Sequence, residues 1–165
     1  MILVVHAHPY PRASRATAAL LEAIRGLPGL EVRSIYDLYP DFDIDVAAEQ
    51  AALERADVVA LMHPLYWYSM PAMLKHWVDT VLVEDWAHVE RDSAKLKGKQ
   101  CLWIVTTGDD ESYGPGTPTP VVEQIARACG MGWLDPFIVG GADQLSREEL
   151  REKGRALRAV LESHA

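Results

Sequence analysis

Short apolar runs recur along the chain and predict the strands of a parallel sheet. Residues 1–7, 57–63 and 100–107 are almost continuously apolar, which is typical of strands that are buried on both faces. Residues 30–36 alternate between apolar and polar, as an edge strand with one solvated face does. Residues 132–139 are interrupted by a proline, so they predict a fifth strand near an edge of the sheet.

Amphipathic segments lie between these runs and predict helices. Ser14 is a suitable N-cap for the first helix, and Ser146 is one for the last. Residues 46–56 and 121–129 supply two further helices. Pro71 suits the first turn of another helix, because no N–H is required there, and the apolar-aromatic stripe that follows also indicates a dimer face.

Strands and helices therefore alternate along all 165 residues, without an internal repeat. This alternation predicts a single α/β domain, residues 1–165, with a doubly wound five-stranded parallel sheet and helices on both faces. The most apolar runs belong at the centre of such a sheet, which favours the flavodoxin-like strand order 2-1-3-4-5. The polar segment 84–99 is predicted to be irregular.

Composition narrows the classes of function. The chain has 16 Lys and Arg against 24 Asp and Glu, a net charge of −8, which argues against a general nucleic-acid surface. Its two cysteines, Cys101 and Cys129, form no C-x-x-C motif and are expected to be reduced core residues of a cytoplasmic protein. No apolar run approaches the roughly 20 residues of a membrane-spanning helix.

Three loops are expected to meet where the central strands end, and the first of them offers an anion site. Ser14 and Thr17 carry hydroxyl groups at a helix N-terminus, where the N–H groups of Arg15 and Ala16 are free, and His8 lies in the same loop. The same residues also fit an ordinary N-cap with solvated arginines. They lack the glycine patterns of Rossmann and P-loop nucleotide sites.

The other two loops offer a flat binding surface and hydrogen-bond donors. Tyr66, Trp67 and Tyr68 are consecutive aromatic residues, which are costly to expose unless a flat partner packs on them. Thr106, Thr107 and Gly108 end the fourth strand and can present backbone amides. An anion site, a stacking surface and amide donors are together what flavin mononucleotide (FMN) requires.

Other chemistry has weaker support in the sequence. His6 and His8 share a strand face, but no Cys or acidic residue in the neighbouring sequence completes a metal site, and we predict none. His63 and His76 are expected to be core or edge residues. Ser69 lacks the G-x-S-x-G context of a hydrolase nucleophile.

Several motifs in the chain resemble those of one family. Ala-His-Pro at 7–9, the serine and threonine of the helix start at 14–17, Leu-Tyr-Pro-Asp-Phe at 38–42 and the long run 63–79 are similar to the flavodoxin-like NAD(P)H:quinone oxidoreductases. The similarity covers essentially the whole chain, and the run 63–79 is its most specific signal. Within the family, the chain most resembles the ancillary flavoproteins of glutathione-gated potassium-efflux antiporters.

The resemblance implies a homodimer that binds FMN, rather than the FAD of longer relatives, and passes electrons from NAD(P)H to a quinone. It places phosphate contacts on the first loop and ring contacts on the second and third. It also makes Tyr113, in the loop after the fourth strand, and Tyr68 the predicted catalytic residues. The predicted cofactor-binding residues are His8, Ser14, Arg15, Ala16, Thr17, Leu65, Tyr66, Trp67, Tyr68, Val105, Thr106, Thr107 and Gly108.

The chain departs from the family pattern at Asp109, Asp110 and Glu111, where relatives have more glycine. Carboxylates at this position would disfavour an anionic reduced flavin and repel a phosphate-bearing nicotinamide. Two alternative functions stay open. One is a regulatory subunit that docks on a membrane antiporter at the inner face of the membrane. The other is a one-electron carrier of the flavodoxin type, which a charge of −8 also fits.

Overall fold

The structure is a computed structural model that describes residues 1–88, 90, 94–108 and 120–165. Four residues that the sequence singled out, Asp109, Asp110, Glu111 and Tyr113, lie outside the described residues. In the part of the chain that is described, no helix is both long and apolar enough to cross a membrane.

A parallel sheet forms the centre of the fold. Its strands pair in the order β2-β1-β3-β4-β5, and β6 also pairs with β4, so the predicted order 2-1-3-4-5 is confirmed. The predicted fifth strand is divided in two, because Pro136 lies between its halves and has no N–H to donate to β4. The strands are β1 (Ile2–His6), β2 (Leu30–Ser34), β3 (Val58–Pro64), β4 (Gln100–Thr106), β5 (Gly132–Trp133) and β6 (Phe137–Val139).

Helices cover both faces of this sheet, as expected for a doubly wound fold. On one face α1 and α7 pack over Ile2 and Val4 of β1. On the other face α3, α4 and α6 pack over Leu3 and Val5 of the same strand. The helices are α1 (Arg15–Ile24), α2 (Ile35–Leu38), α3 (Val46–Arg55), α4 (Ala72–Val81), α5 (Glu84–Ala87), α6 (Val121–Ala128) and α7 (Arg147–Glu162).

Two short helices correct the sequence-based boundaries. The strand predicted over 30–36 ends at Ser34, because the next residue, Ile35, enters the core and begins the single turn α2. The segment 84–99 was predicted to be irregular, but it opens with the helical turn α5. Glu84 and Asp85 lie in the first turn of α5, where the helix dipole favours negative charge, and Ala87, the last residue of α5, is buried.

The apolar stripe of α4 is used inside the protomer. Leu74, Trp77 and Val81 are buried in the core between α4 and the sheet. These side chains are covered within a single chain, so they are not by themselves evidence for a dimer face, and the homodimer stays a prediction. Burial of the stripe explains why α4 is held firmly just after the aromatic loop.

The two cysteines are free and buried, as the sequence predicted. Burial raises the pKa of the Cys101 thiol to about 12 and that of the Cys129 thiol to about 11. Both side chains therefore remain protonated near neutral pH and act as small core residues.

Candidate ligand-binding site

A cavity of about 320 Å³ lies at the carboxyl ends of β1, β3 and β4. The strand order brings three loops to this edge, and the segment after β6 closes a fourth side. Open α/β sheets bind ligands at such a place, where neighbouring connections leave the sheet in opposite directions. The lining residues are His8, Tyr10, Ala13, Ser14, Ala16, Pro64, Leu65, Tyr66, Thr106, Thr107, Gly108, Ala142 and Asp143.

The N-terminus of α1 borders the cavity and can bind an anion. Ser14 is the N-cap, and its Oγ accepts a hydrogen bond from the Thr17 N–H at 3.2 Å. The same hydroxyl donates to Thr17 Oγ1 at 2.9 Å. The N–H groups of Arg15 and Ala16 have no acceptor among the described residues. They are the two donors that an anion at this helix start would take up.

His8 contributes a neutral donor to the same end of the cavity. Its Nδ1 accepts a hydrogen bond from the Tyr10 N–H at 3.0 Å, which places the ring proton on Nε2. Burial lowers the pKa of His8, so the ring is neutral near pH 7. The Nε2–H is then available for a ligand oxygen.

The aromatic loop between β3 and α4 makes a strained two-residue turn. Tyr66 and Ser69 exchange two backbone hydrogen bonds of 3.0 Å, and the two residues between them have positive φ angles. These angles are 49° for Trp67 and 61° for Tyr68, as in a type I′ turn, which normally takes glycine or asparagine. Each such non-glycine residue costs about 1–3 kcal/mol, and strain of this kind clusters at functional sites.

The turn also holds its aromatic rings in solvent. Trp67 is 94% exposed and Tyr68 is 75% exposed, whereas Tyr66 lines the cavity. The base of the loop is fixed, because the Leu65 N–H donates to the Thr106 oxygen at 2.8 Å. A rigid base therefore carries an exposed aromatic surface at the mouth of the cavity.

A buried histidine supports the wall of the cavity from behind. His63 Nε2 accepts a hydrogen bond from Trp103 Nε1 at 2.8 Å, so its Nδ1 carries the proton and donates to the Pro64 oxygen at 2.9 Å. Burial lowers the pKa of His63 to about 4, and the ring is neutral. His63 is therefore a core histidine, one of the alternatives that the sequence predicted, and it holds the last residue of β3 where the loop begins.

The cavity contains little positive charge. Its lining among the described residues includes the carboxylate of Asp143 and no Lys or Arg side chain. The guanidinium of Arg15 turns away from the cavity and donates to the Leu145 oxygen at 2.9 Å. An anion would therefore be held by amides, hydroxyls and His8 rather than by ion pairs.

The structure brings together much of the predicted site, but not all of it. The predicted residues that line the cavity are His8, Ser14, Ala16, Leu65, Tyr66, Thr106, Thr107 and Gly108. Those that lie outside its lining are the helix residues Arg15 and Thr17, the exposed Trp67 and Tyr68, and the buried Val105. The predicted Tyr113 falls outside the described residues.

Sequence reasoning missed several residues of the cavity: Tyr10, Ala13, Pro64, Ala142 and Asp143. Tyr10, Ala13 and Pro64 belong to loops that the strand pattern had already placed at this edge. Ala142 and Asp143 carry no local signal. They reach the cavity because the Thr107 N–H donates to the Val139 oxygen and the Ala142 N–H donates to the Thr107 oxygen, each at 2.9 Å.

We expect Tyr68→Gly to raise the free energy of unfolding by about 1 kcal/mol, because glycine adopts a positive φ without strain. Urea denaturation of the protein without added ligand measures this change. Tyr68→Ala is the matched control, since it removes the same ring but keeps a Cβ in the strained conformation. Equal stabilities of the two variants would contradict strain at this turn.

A parallel sheet of this order, with a cavity at the ends of its central strands, defines an open doubly wound α/β protein, a class whose ligands bind at the switch point of the sheet. The chain belongs to the family of the flavodoxin-like fold, which it matches over residues 1–161.

One relative and two solved structures match this chain along nearly their whole length. The chain is 47% identical over 168 residues to the glutathione-regulated potassium-efflux system ancillary protein KefF of Klebsiella pneumoniae (strain 342), and the match covers 98% of this chain and 94% of the relative. A crystal structure of general stress protein 14 from Treponema denticola in complex with FMN is 28% identical, with a TM-score of 0.87 and 99% of both chains covered. A crystal structure of an NADPH-quinone reductase from P. pentosaceus is 26% identical, with a TM-score of 0.82, and the match covers 97% of this chain and 96% of that one.

Proposed function

We propose that this protein binds FMN at the sheet edge and acts as an NAD(P)H:quinone oxidoreductase. The observation that carries this proposal is the meeting, in one cavity, of a helix N-terminus with free amides, an aromatic loop and the end of β4. The relatives support it, since one similar structure contains FMN and another is an NADPH-quinone reductase.

The residues of the cavity fit FMN. Ser14, the amides of Arg15 and Ala16, and the Nε2–H of His8 would hold the phosphate without a charged side chain. Tyr66 and the segment 106–108 would contact the ring. When bound, FMN supplies the redox chemistry, because it accepts a hydride from the nicotinamide and passes two electrons to the quinone.

The chain itself contributes orientation and control of protons. Burial, and next the neighbouring Tyr10, raise the pKa of the Tyr66 hydroxyl, so this group stays protonated at neutral pH and can donate a hydrogen bond. Tyr68 presents an exposed ring on which the nicotinamide or the quinone can pack. Catalytic roles for Tyr68 and Tyr113 remain predictions of the resemblance.

A larger cavity of about 470 Å³ lies elsewhere, between α1 and α7. We assign the redox site to the smaller cavity, because among the described residues free helix amides, a neutral histidine donor and a strained aromatic turn lie together there and not in the larger cavity. Size alone does not identify a catalytic site, whereas strain and unused donors indicate function.

FMN binding should be visible as stabilisation. At 100 times its dissociation constant, FMN is expected to stabilise the protein by about 2.7 kcal/mol, because it binds only the folded state. A melting curve with and without FMN measures this effect, and consumption of NADH or NADPH with benzoquinone tests the activity. Protein that shows neither a shift in Tm nor any nicotinamide oxidation would exclude the proposed function.

Asp143 allows the position of the phosphate to be tested. We expect Asp143→Asn to lower the Kd for FMN by about threefold, since it removes a negative charge from a cavity that would hold an anion. Asp135→Asn is the matched control, because Asp135 is exposed, has the same charge and lies outside the cavity lining. Fluorescence titration of FMN measures both, and an equal change in the two variants would argue against phosphate binding here.

A second role is favoured by the relatives at 47% identity, which are named as ancillary proteins of a potassium-efflux system. We propose that this chain also docks on a membrane antiporter as its regulatory subunit, a role compatible with the enzyme activity. Co-purification of the two proteins from detergent-solubilised membranes tests it. An antiporter from the same genome that never co-purifies with the chain would count against it.

We further propose that the chain is a homodimer. The ring of Trp67, which is 94% exposed, is an aromatic surface that a second copy would cover. Analytical ultracentrifugation measures the assembly state of the chain and of Trp67→Glu, which should favour the monomer. A chain that is monomeric without any substitution would instead favour the one-electron carrier.

A further inference from the structure

A cavity of about 470 Å³ lies in a groove between α1 and α7, which we call the α1–α7 groove. Both helices follow parallel strands and pack on the same face of the sheet, so they run in the same direction. Its lining residues come from nearly the whole length of α1 and from the N-terminal half of α7: Arg15, Ala19, Glu22 and Ala23 of α1, and Arg147, Leu150, Arg151 and Arg155 of α7. None of them lines the cavity at the sheet edge.

The close approach of the two helices creates the floor of the groove. Gly154 packs on α1 so tightly that a Cβ there would lie 2.7 Å from the Ala23 Cβ and 3.2 Å from the Ala19 oxygen. Small residues on both helices therefore leave a shallow apolar bed, which Leu150 completes. The apolar part of a ligand can therefore pack on this surface.

The charge of the groove is positive, although the chain carries −8 in total. Four arginines line it against one acidic residue, Glu22. Glu22 is already paired, since its carboxylate lies 3.0 Å from the Arg25 guanidinium. The groove therefore contains no unpaired carboxylate within its described lining.

Two of the four guanidinium groups have no carboxylate partner among the described residues. Arg151 and Arg155 share Glu148, at 3.4 and 3.2 Å. Arg15 donates only to a backbone oxygen, that of Leu145, at 2.9 Å. Arg147 has neither a hydrogen bond nor an ion pair within the part of the chain that is described. Arg15 and Arg147 are each the first residue of their helix, so both charges lie at the same end of the groove.

We propose that the α1–α7 groove is a second binding site, which takes a small organic anion with an apolar body. The anionic group binds Arg147 and Arg15 at the helix starts, and the apolar body lies over Ala19, Ala23 and Leu150. The volume of about 470 Å³ falls in the range of small-molecule sites. Guanidinium groups suit carboxylate, sulfonate and phosphate because their donors are paired in a rigid plane.

Calorimetric titration of the full chain, with excess FMN present throughout, tests this site. The probe is anilinonaphthalene sulfonate, and its neutral sulfonamide analogue is the matched control ligand. We expect one sulfonate per chain, bound at least about tenfold more tightly than the sulfonamide, because hydrogen bonds to charged groups are the stronger ones. A probe that binds no better than its neutral analogue, or does not bind, overturns the proposal.

Substitutions then locate the probe. Arg147→Gln should weaken sulfonate binding about tenfold and Arg147→Glu further, since these variants remove and then reverse an unpaired charge. Lys153→Gln and Lys153→Glu are matched controls on the same helix, because Lys153 is exposed and lies outside the groove lining. Equal losses in the Arg147 and Lys153 variants overturn the site, as does competition between the probe and FMN. An equal loss of sulfonate affinity would mean that binding depends only on the net charge of the chain. Competition with FMN would mean that the probe binds in the cavity at the sheet edge.

Discussion

Glu49→Ala is expected to lower the free energy of unfolding by about 3–5 kcal/mol, which is the usual cost of removing one partner of a buried ion pair. Glu49 is fully buried on α3, with 0% of its surface exposed. Stabilities of single domains are about 5–15 kcal/mol, so the loss would be a large part of the total.

The size of this effect follows from the number of donors that converge on one carboxylate. Glu49 Oε1 accepts hydrogen bonds from the Arg33 guanidinium and from the Tyr39 hydroxyl, and Oε2 accepts one from Trp77 Nε1 at 2.9 Å. These bonds join β2, the residue after α2, and α4 to α3. Alanine would leave Trp77 Nε1 and the Tyr39 hydroxyl without their acceptor and Arg33 with only one carboxylate, that of Glu31 at 3.3 Å, which is more costly than a simple loss of packing.

Urea denaturation measures the stability of Glu49→Ala beside Glu54→Ala. Glu54 is the matched control, because it lies on the same helix with its side chain exposed. Glu49→Gln should fall between the two, since the amide keeps one oxygen acceptor but has no charge for Arg33. If Glu49→Ala and Glu54→Ala were equally stable, the buried carboxylate would contribute nothing beyond its volume.

Acid is the second strong perturbation that we expect to unfold this protein. Burial lowers the pKa of both His6 and His63 from 6.5 to about 4, with His8 adding to the effect at His6. Each histidine binds its proton more weakly in the folded protein than in the unfolded chain. As pH falls, the unfolded chain therefore takes up protons first, and the equilibrium shifts towards it.

The sign and range of the effect follow directly. Above pH 6.5 both histidines are neutral in the folded and the unfolded protein, and the free energy of unfolding has its full value. It decreases as the pH falls from 6.5 to about 4. The loss amounts to about 3 kcal/mol for each histidine, because one pH unit of pKa difference corresponds to about 1.4 kcal/mol. The surroundings explain the low pKa of each ring. His63 is enclosed between Trp103 and Pro64, and His6 Nε2 has no hydrogen-bond partner within the described residues.

Urea denaturation at several pH values between 4 and 7 measures this dependence. His63→Gln keeps an acceptor for Trp103 and a donor for the Pro64 oxygen but does not titrate, so it should remove about half of the slope. His6→Asn should remove most of the rest, and the double variant should keep only the smaller slope that comes from His8, whose pKa burial also lowers. An unchanged slope in the double variant would assign the acid sensitivity to other groups.

Local patterns predicted most of the architecture. The continuous apolar runs identified the central strands, and their order followed from burial on both faces. The predicted element boundaries were wrong where a core contact outweighed the local pattern. Ile35, for example, enters the core, and β2 therefore ends at Ser34 rather than at residue 36. The prediction of one continuous fifth strand was inaccurate for a different reason, because a proline inside it divides the pairing with β4 into two parts.

The position of the candidate site was also predicted from the strand order, because the ends of adjacent parallel strands meet at one edge. Which side chains enter the cavity could not be predicted, since that depends on how each loop turns. Arg15 illustrates the limit: its sequence position suggested an anion site, but its guanidinium lies in the α1–α7 groove. Asp143 illustrates the converse, because it reaches the cavity from a segment with no local signal.

The amino-acid sequence by itself determined the alternation of strands and helices, the central strands, and the three aromatic residues at the end of β3. These features depend on residues that are close in sequence, where periodicity and propensity act. Only the tertiary structure decided that Glu49 is buried, that Trp67 and Tyr68 occupy strained positions, and that the stripe of α4 faces inward. The burial of Glu49 and of the α4 stripe depends on contacts between residues far apart in the chain. The strained turn closes locally, but its base is held by the bond from the Leu65 N–H to the Thr106 oxygen, which exists only once the sheet has formed.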